Sequence, residues 1–198
     1  MHGRGIAAAR SGRTRGLYTV GYTAAPMATP ALRIRPAYPR ELAVLIEFNR
    51  AMAQETEGRA LDPARLRAGV EAVFAEPSRG TYYLALQGDE PLGGLLVTSE
   101  WSDWRNGVFW WIQSVYVVPM ARRRGIFRQL YGHVLERARG NPEVCGLRLY
   151  VDHENHAAQA VYRQLGMHAA RYRFFELDFV LAEDRSKNPA GTSKAHEA

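Results

Sequence analysis

The chain has 198 residues, of which 46% are hydrophobic and 23% charged, as is usual for one globular domain with or without tails. No run approaches the roughly 18 apolar residues that a membrane-spanning helix needs, so neither an integral membrane protein nor a membrane partner is expected. The single cysteine, Cys145, excludes an internal disulfide framework and is typical of a reducing compartment, so we expect a cytoplasmic location.

The net charge of +6 is concentrated near the N-terminus. Residues 1–26 contain four arginines and no acidic residue, so the rest of the chain is only mildly basic. This segment could be a transit peptide or an RNA-binding arm, but the strand-like run soon after Met27 favours a disordered or wrongly started extension over residues 1–29. The polar residues 182–198 predict a disordered tail. One domain over residues 30–181 remains, and no nucleic-acid partner is expected.

Strand and helix patterns alternate through this domain. The predicted elements are a strand at 31–35, a helix beginning near Pro39, a helix capped by Asp62, strands at 81–87, 92–100 and 108–118, a helix at 125–139, a strand at 144–151, a helix at 157–165 and a last strand at 172–180. This order indicates an α/β fold with a central mixed β-sheet and helices on both faces.

A basic turn, Arg122-Arg123-Arg124-Gly125, lies between a predicted strand and a predicted helix. The first amides of a helix have no internal partner and the helix dipole adds positive charge, so such an end can bind phosphate or pyrophosphate. The alternative is an exposed basic turn that binds nothing. No Gly-Lys-Ser/Thr follows Gly125 and no GxGxxG occurs, which excludes a P-loop and a dinucleotide-binding fold.

A second informative stretch is the predicted helix of residues 155–167. Ala158, Val161 and Leu165 have the spacing of one buried helix face, and Tyr162 lies beside that face. By itself this pattern is typical of a packed helix.

Together the two stretches resemble the GCN5-related N-acetyltransferase (GNAT) family. The basic turn matches that family's Arg/Gln-x-x-Gly-x-Gly/Ala loop until Phe127, where the family prefers a small residue. The family's Asn-x-x-Ala-x-x-apolar-Tyr-x-x-x-Gly-apolar element is matched by Asn155, Ala158, Val161, Tyr162, Gly166 and Met167. The resemblance covers residues 30 to 180 approximately, and it implies the acyl-CoA N-acyltransferase (GNAT) fold.

The resemblance also implies acetyl-CoA as co-substrate, with no metal. Backbone groups of Val115, Tyr116 and Val117 would line the pantetheine arm, and Asn155 and Ala158 would lie near it. The pyrophosphate would be held by backbone amides of Arg122, Arg123, Arg124, Gly125, Ile126 and Phe127.

The chemistry of acetyl transfer points to further residues. The carbonyl oxygen gains charge and needs a fixed N–H donor, for which a backbone amide near Val115 or Tyr116 is the candidate. The leaving thiolate needs a proton, which Tyr162 could supply as general acid. Gln113 stands where related enzymes often have a glutamate; it could hold water or substrate but cannot be a base. The alternatives for the base are Glu55, Glu57, Glu100, Asp103 or a water chain.

Acidic and aromatic residues indicate where the acceptor binds. Glu55, Glu57, Trp101 and Asp103 are predicted to line the acceptor site, with solvated loop acids as the alternative for the two glutamates. These residues favour a small-molecule amine such as a diamine, amino acid or aminosugar as the acceptor. We expect the acetyl group to be transferred directly, in a ternary complex. The alternatives are a protein N-terminal or lysine acetyltransferase and a non-catalytic acyl-CoA-binding module. A homodimer is compatible with the sequence.

Overall fold

The computed structural model describes residues 30–181, so the predictions for residues 1–29 and 182–198 lie outside the described residues. The strands are β1 (Leu32–Pro36), β2 (Thr81–Gln87), β3 (Glu90–Ser102), β4 (Gly107–Val117) and β5 (Val144–Leu149). The helices are α1 (Leu42–Glu57), α2 (Pro63–Ala75), α3 (Ile126–Arg139) and α4 (His156–Gln164), with single 3₁₀ turns between some elements.

Local sequence explains where most elements begin and end. The Asp62 side chain accepts a hydrogen bond from the Arg65 amide at 2.7 Å, and Pro63 occupies the first turn of α2, as predicted. Gly58 ends α1 in the left-handed conformation. Asn106, with φ of 45°, turns the chain between β3 and β4.

The strands form one sheet in the order β1-β2-β3-β4-β5. The first four are antiparallel to their neighbours and β5 runs parallel to β4, which confirms the predicted mixed sheet. Cys145 is exposed at the start of β5.

Each face of the sheet has its own apolar core. On one face, α1 and α2 cover Tyr82, Leu84, Leu86 and Tyr116, and on the other face α3 covers Tyr83, Ala85, Leu95, Val97 and Ile112. Leu130 and Val134 of α3 are fully buried. Because burying such a side chain contributes about 1.5–3 kcal/mol, these contacts fix the orientation of α3 and therefore the position of its N-terminus.

The predicted last strand at 172–180 is wrong. The segment makes no ladder with β5, and the side chains of Phe175 and Phe179 are 89% and 88% exposed. The carboxylate of Asp178 accepts hydrogen bonds from the amides of Val180 and Leu181, and this local turn competes with strand pairing. Alternation of apolar residues therefore did not identify a paired strand.

Candidate active site

A β-bulge interrupts β4 in the middle of the sheet. The register with β3 shifts between Gly94 and Leu96, so two residues of β4, Ser114 and Val115, occupy the space opposite one residue. Ser114 has a positive φ of 48°. A bulge leaves a backbone group outside the ladder, so the N–H donor predicted near Val115 or Tyr116 lies where the pairing is broken.

The basic turn leads directly into the N-terminus of α3. Arg123 and Gly125 both have left-handed backbone conformations, with φ of 61° and 77°. Gly125 is the N-cap residue, and no side chain among residues 30–181 caps this helix. The first amides of α3, including those of Ile126 and Phe127, therefore have no intrahelical acceptor, which is the arrangement that binds anions.

Arg122 connects this turn to two other elements. Its Nε donates to the Val117 carbonyl at 3.0 Å, and its Nη2 forms an ion pair of 2.5 Å with Glu55 at the end of α1. The Tyr116 hydroxyl donates to the same carboxylate at 3.0 Å. The hydrogen bond from Arg122 lowers the pKa of Glu55, so this carboxylate binds a proton more weakly and is a poor candidate for the general base.

The other two arginines differ in their surroundings. Arg124 donates from Nη2 to the Gln87 side chain at 3.1 Å, whereas no acidic partner of Arg123 lies among residues 30–181. The positive charge of the turn is thus compensated at Arg122 and retained at Arg123 and Arg124.

The two sequence stretches meet at Phe127 and Tyr162. Their rings make an edge-to-face contact with centroids 5.5 Å apart, and Phe127 also packs against Tyr131 and the core beneath α3. The Phe127 side chain therefore points away from the turn, which explains how a large residue is accommodated there. Burial raises the pKa of Tyr162, because desolvation disfavours the phenolate.

Asn155 is the N-cap of α4. Its Oδ1 accepts a hydrogen bond from the Ala158 amide at 3.0 Å. This bond holds the side chain at the start of the helix and leaves its Nδ2 as the group that could reach a ligand.

Gln113 lies on the sheet face that α1 covers, one residue before the bulge. Its Nε2 donates to the Thr98 hydroxyl at 2.5 Å. The side-chain carbonyl oxygen of Gln113 remains as an acceptor for an amine or a water molecule.

The four predicted acceptor-lining residues do not form one site. Glu55 contacts Tyr116, which pairs with Gly94, whereas Trp101 lies seven residues further along β3, at about 3.3 Å per residue or about 23 Å away. Trp101 also faces the opposite side of the sheet from Gln113, because strand side chains alternate. Glu57 is near Arg59 at 3.9 Å, and Asp103 accepts a hydrogen bond from the Trp104 amide in the β3–β4 turn.

The structure brings other residues to the Gln113 face that the sequence analysis missed. They are Thr98 on β3, Arg148 on β5 and Tyr150 just after β5. Because side chains alternate along a strand, the sequence could have predicted which residues of β4 share the face of Gln113. The parallel register of β5 with β4 cannot be predicted from the sequence of either strand alone.

Two classes of site are not found in the described part of the chain. No helix within residues 30–181 is long and apolar enough to cross a membrane. No group of three or more His, Cys, Asp or Glu side chains in that range could hold a metal ion.

Comparison with known proteins agrees with the fold. A model of the Acetyltransferase (GNAT) family matches residues 45–167. A possible acetyltransferase from Clostridium difficile 630 is 38% identical, with a TM-score of 0.71 over 75% of this chain and 98% of its own. A predicted acetyltransferase with acetyl-CoA from Clostridium acetobutylicum, 15% identical, shares the fold with a TM-score of 0.62 over 75% of this chain and 96% of its own. No curated protein matches significantly.

A mixed sheet with a bulged fourth strand, followed by a basic turn and an uncapped helix, is thus the acyl-CoA N-acyltransferase fold. The chain belongs to the GNAT acetyltransferase family, whose members generally use acetyl-CoA.

Proposed function

We propose that the chain transfers acetyl from acetyl-CoA to a primary amine of a small molecule, directly and in a ternary complex, with Tyr162 as general acid. The contact between Phe127 and Tyr162 carries this proposal, since it holds a half-buried phenol beside the N-terminal turn of α3. The pantetheine arm of a ligand whose phosphates occupy the basic turn could run along this contact and bring its thioester to the Tyr162 hydroxyl.

The free amides and retained charges fit acetyl-CoA. Amides from Arg122 to Phe127 would hold the pyrophosphate, with Arg123 and Arg124 adding charge. The bulge at Ser114 would offer the N–H that stabilises charge on the carbonyl oxygen. Bound acetyl-CoA would supply the acetyl group as an activated thioester.

Each proton has a defined source or destination. The amine nitrogen bonds to the acetyl carbon as the carbon–sulfur bond breaks, and the sulfur leaves with the electron pair. Tyr162 gives its phenolic proton to that sulfur and is reprotonated by solvent. Gln113 accepts a hydrogen bond from the amine or from the water that removes the amine's surplus proton. Because burial raises the Tyr162 pKa, the hydroxyl remains protonated at neutral pH and available as a donor.

Tyr162→Phe tests the assignment, and Tyr131→Phe is a matched control. Both rings contact Phe127, and burial raises both pKa values, but Tyr131 lies in the core beneath α3. We expect the Tyr162 variant to lose about 10²- to 10⁴-fold in kcat with unchanged acetyl-CoA affinity, and the Tyr131 variant to keep its kcat.

An assay of different acceptors distinguishes a small-molecule acetyltransferase from a protein acetyltransferase and from a non-catalytic module. Turnover of an amine panel, followed by release of CoA thiol, supports the small-molecule assignment, whereas turnover of peptides alone identifies a protein acetyltransferase. Tight acetyl-CoA binding without turnover of any acceptor would indicate a non-catalytic module.

A further inference from the structure

A strip of the sheet extends from the bulge towards the β3–β4 turn on the face that carries α1 and α2. Gln113 and Trp111 of β4 lie on this strip, with Thr98 and Glu100 of β3 on one side and Arg148 of β5 on the other. All five side chains are partly or fully exposed. The strip is therefore an accessible surface that begins beside the bulge.

Charged and aromatic groups on the strip are joined in one network. Arg148 Nη1 donates to both oxygens of Glu100, at 2.8 and 2.9 Å, and the Trp111 indole N–H donates to the same carboxylate. The Arg148 guanidinium lies 3.7 Å from the centre of the Phe109 ring, and Tyr150 stacks on Trp111 at 4.4 Å. These contacts fix the positions of both charges.

The network still has unused binding capacity. Within residues 30–181, Arg148 makes its hydrogen bonds through Nη1 alone, so Nε and Nη2 remain as a second donor edge for a carboxylate. The side chains of Glu100 and Arg148 are 44% and 33% exposed, and Tyr150 is 54% exposed. A ligand can therefore reach both the Arg148 guanidinium and the aromatic rings of Trp111 and Tyr150.

The distance to the bulge suits a small acceptor. Trp111 and Gln113 are two residues apart on one face, which is about 7 Å along the strand. An amine held at Gln113 could thus belong to a molecule whose carboxylate reaches Arg148 and whose apolar part contacts Trp111 or Tyr150.

We propose that this strip binds the acceptor and that the acceptor is an amino acid with an apolar side chain, its carboxylate bound by Arg148. The inference rests on the proposed acetyl transfer and specifies its substrate class. Glu100 competes with that carboxylate for Arg148 and so limits the affinity, while it holds the guanidinium in place.

Three related acceptors test the carboxylate. Phenylalanine, its amide and phenethylamine share the amine and the ring, and only the first carries a carboxylate. We expect kcat/KM for phenylalanine to exceed that for the other two about tenfold or more, as one charge-assisted contact allows. Equal rates on all three would overturn the inference and leave the proposed acetyl transfer intact.

Two variants should move the affinity in opposite directions. Arg148→Gln is expected to raise KM for phenylalanine about tenfold and to leave KM for phenethylamine unchanged, whereas Glu100→Gln should lower KM for phenylalanine by freeing the guanidinium. Arg67→Gln is the control, because Arg67 forms an exposed ion pair with Glu71 on α2. Acetyl-CoA affinity should be the same in all three variants.

Calorimetric titration of phenylalanine into the protein–CoA complex gives a readout without turnover. Binding that Arg148→Gln weakens supports the site. An absence of binding, or binding that Arg148→Gln leaves unchanged, would overturn it. Failure of acetyl transfer itself is recognised separately, as acetyl-CoA binding with no turnover of any amine.

Discussion

Arg122, the first arginine of the basic turn, is ion-paired with Glu55 at the C-terminal end of α1. Because 67 positions separate the two residues, their pairing couples the basic turn to the helix that covers the Gln113 face of the sheet. Both side chains are partly exposed, so the pair itself contributes at most about 1 kcal/mol to stability. Its larger effect is on the charge that the turn presents to a ligand.

Glu55→Gln should therefore tighten acetyl-CoA binding. The substitution frees the Arg122 guanidinium and removes a negative charge near the phosphates, so we expect Kd to fall about two- to fivefold at low ionic strength, with a smaller effect in high salt. Glu57→Gln is the matched control and should leave Kd unchanged, because Glu57 lies 3.9 Å from Arg59 and not beside an arginine of the basic turn. Weaker binding of the Glu55 variant would mean that ordering of the turn outweighs its charge.

Glu41 contributes to stability in a pH-dependent way. Two hydrogen bonds from Arg35, at 2.8 and 2.5 Å, and one from the Tyr38 amide lower the pKa of this carboxyl, and both charged side chains are about 15% exposed. Glu41→Gln should lower the free energy of unfolding by about 1–3 kcal/mol at pH 7.

The pH dependence has a definite sign. The stabilisation is complete above about pH 4.3, where the unfolded chain is ionised at this position, and it disappears as the pH falls through the lower folded pKa of Glu41. Urea unfolding at pH 7 and pH 3 measures the difference. Glu47→Gln, which breaks an exposed pair with Arg50, should have no measurable effect at either pH. A Glu41 effect that is equal at both pH values would contradict this account.

Two glycines of the same region should respond oppositely to alanine. Gly125 has a φ of 77°, so Gly125→Ala should destabilise the fold by about 1–2 kcal/mol and weaken acetyl-CoA binding, because the amides of the turn would be redirected. Gly132 lies within α3, and a Cβ there meets no atom within 4 Å, so Gly132→Ala should stabilise the fold by up to about 1 kcal/mol. Chemical denaturation and calorimetry measure the two effects. Equal effects of the two substitutions would show that the conformation at Gly125 carries no special cost.

The exposed segment after α4 can be tested with polar substitutions. Because Phe175 and Phe179 are almost fully exposed, replacing both with Ser should leave the free energy of unfolding within about 0.5 kcal/mol of its original value and should raise solubility. A loss of several kcal/mol would instead show that these side chains are buried in solution, as they would be if the segment paired with β5.

Local features of the chain were predictable and relationships between distant strands were not. Asp62 and Pro63 identified the start of α2 because a cap depends on a few neighbouring residues. The bulge at Ser114 depends on register with β3, which no single strand reveals. For the same reason, the sequence did not show that Trp101 and Glu55, both expected at one acceptor site, lie far apart.

Sequence motifs led to the predicted cofactor side of the site and to no part of the strip around Arg148. The basic turn and the α4 element are each continuous in sequence, and their meeting at Phe127 and Tyr162 follows from the packing of α3. The strip around Arg148 draws single residues from three strands, so no motif could contain it.

Cys145 has a practical consequence for measuring turnover. As the single cysteine of the chain, exposed at the start of β5, it will react with disulfide reagents that detect CoA thiol and add one equivalent of colour per protein molecule. The same thiol offers one attachment point for a fluorophore. Cys145 lies beside the start of β4, and the basic turn follows the other end of that strand. At 3.3 Å per residue, the length of β4 separates the two by about 30 Å. That separation lies within the range of energy transfer to a labelled CoA, so binding could be followed in solution without any acceptor.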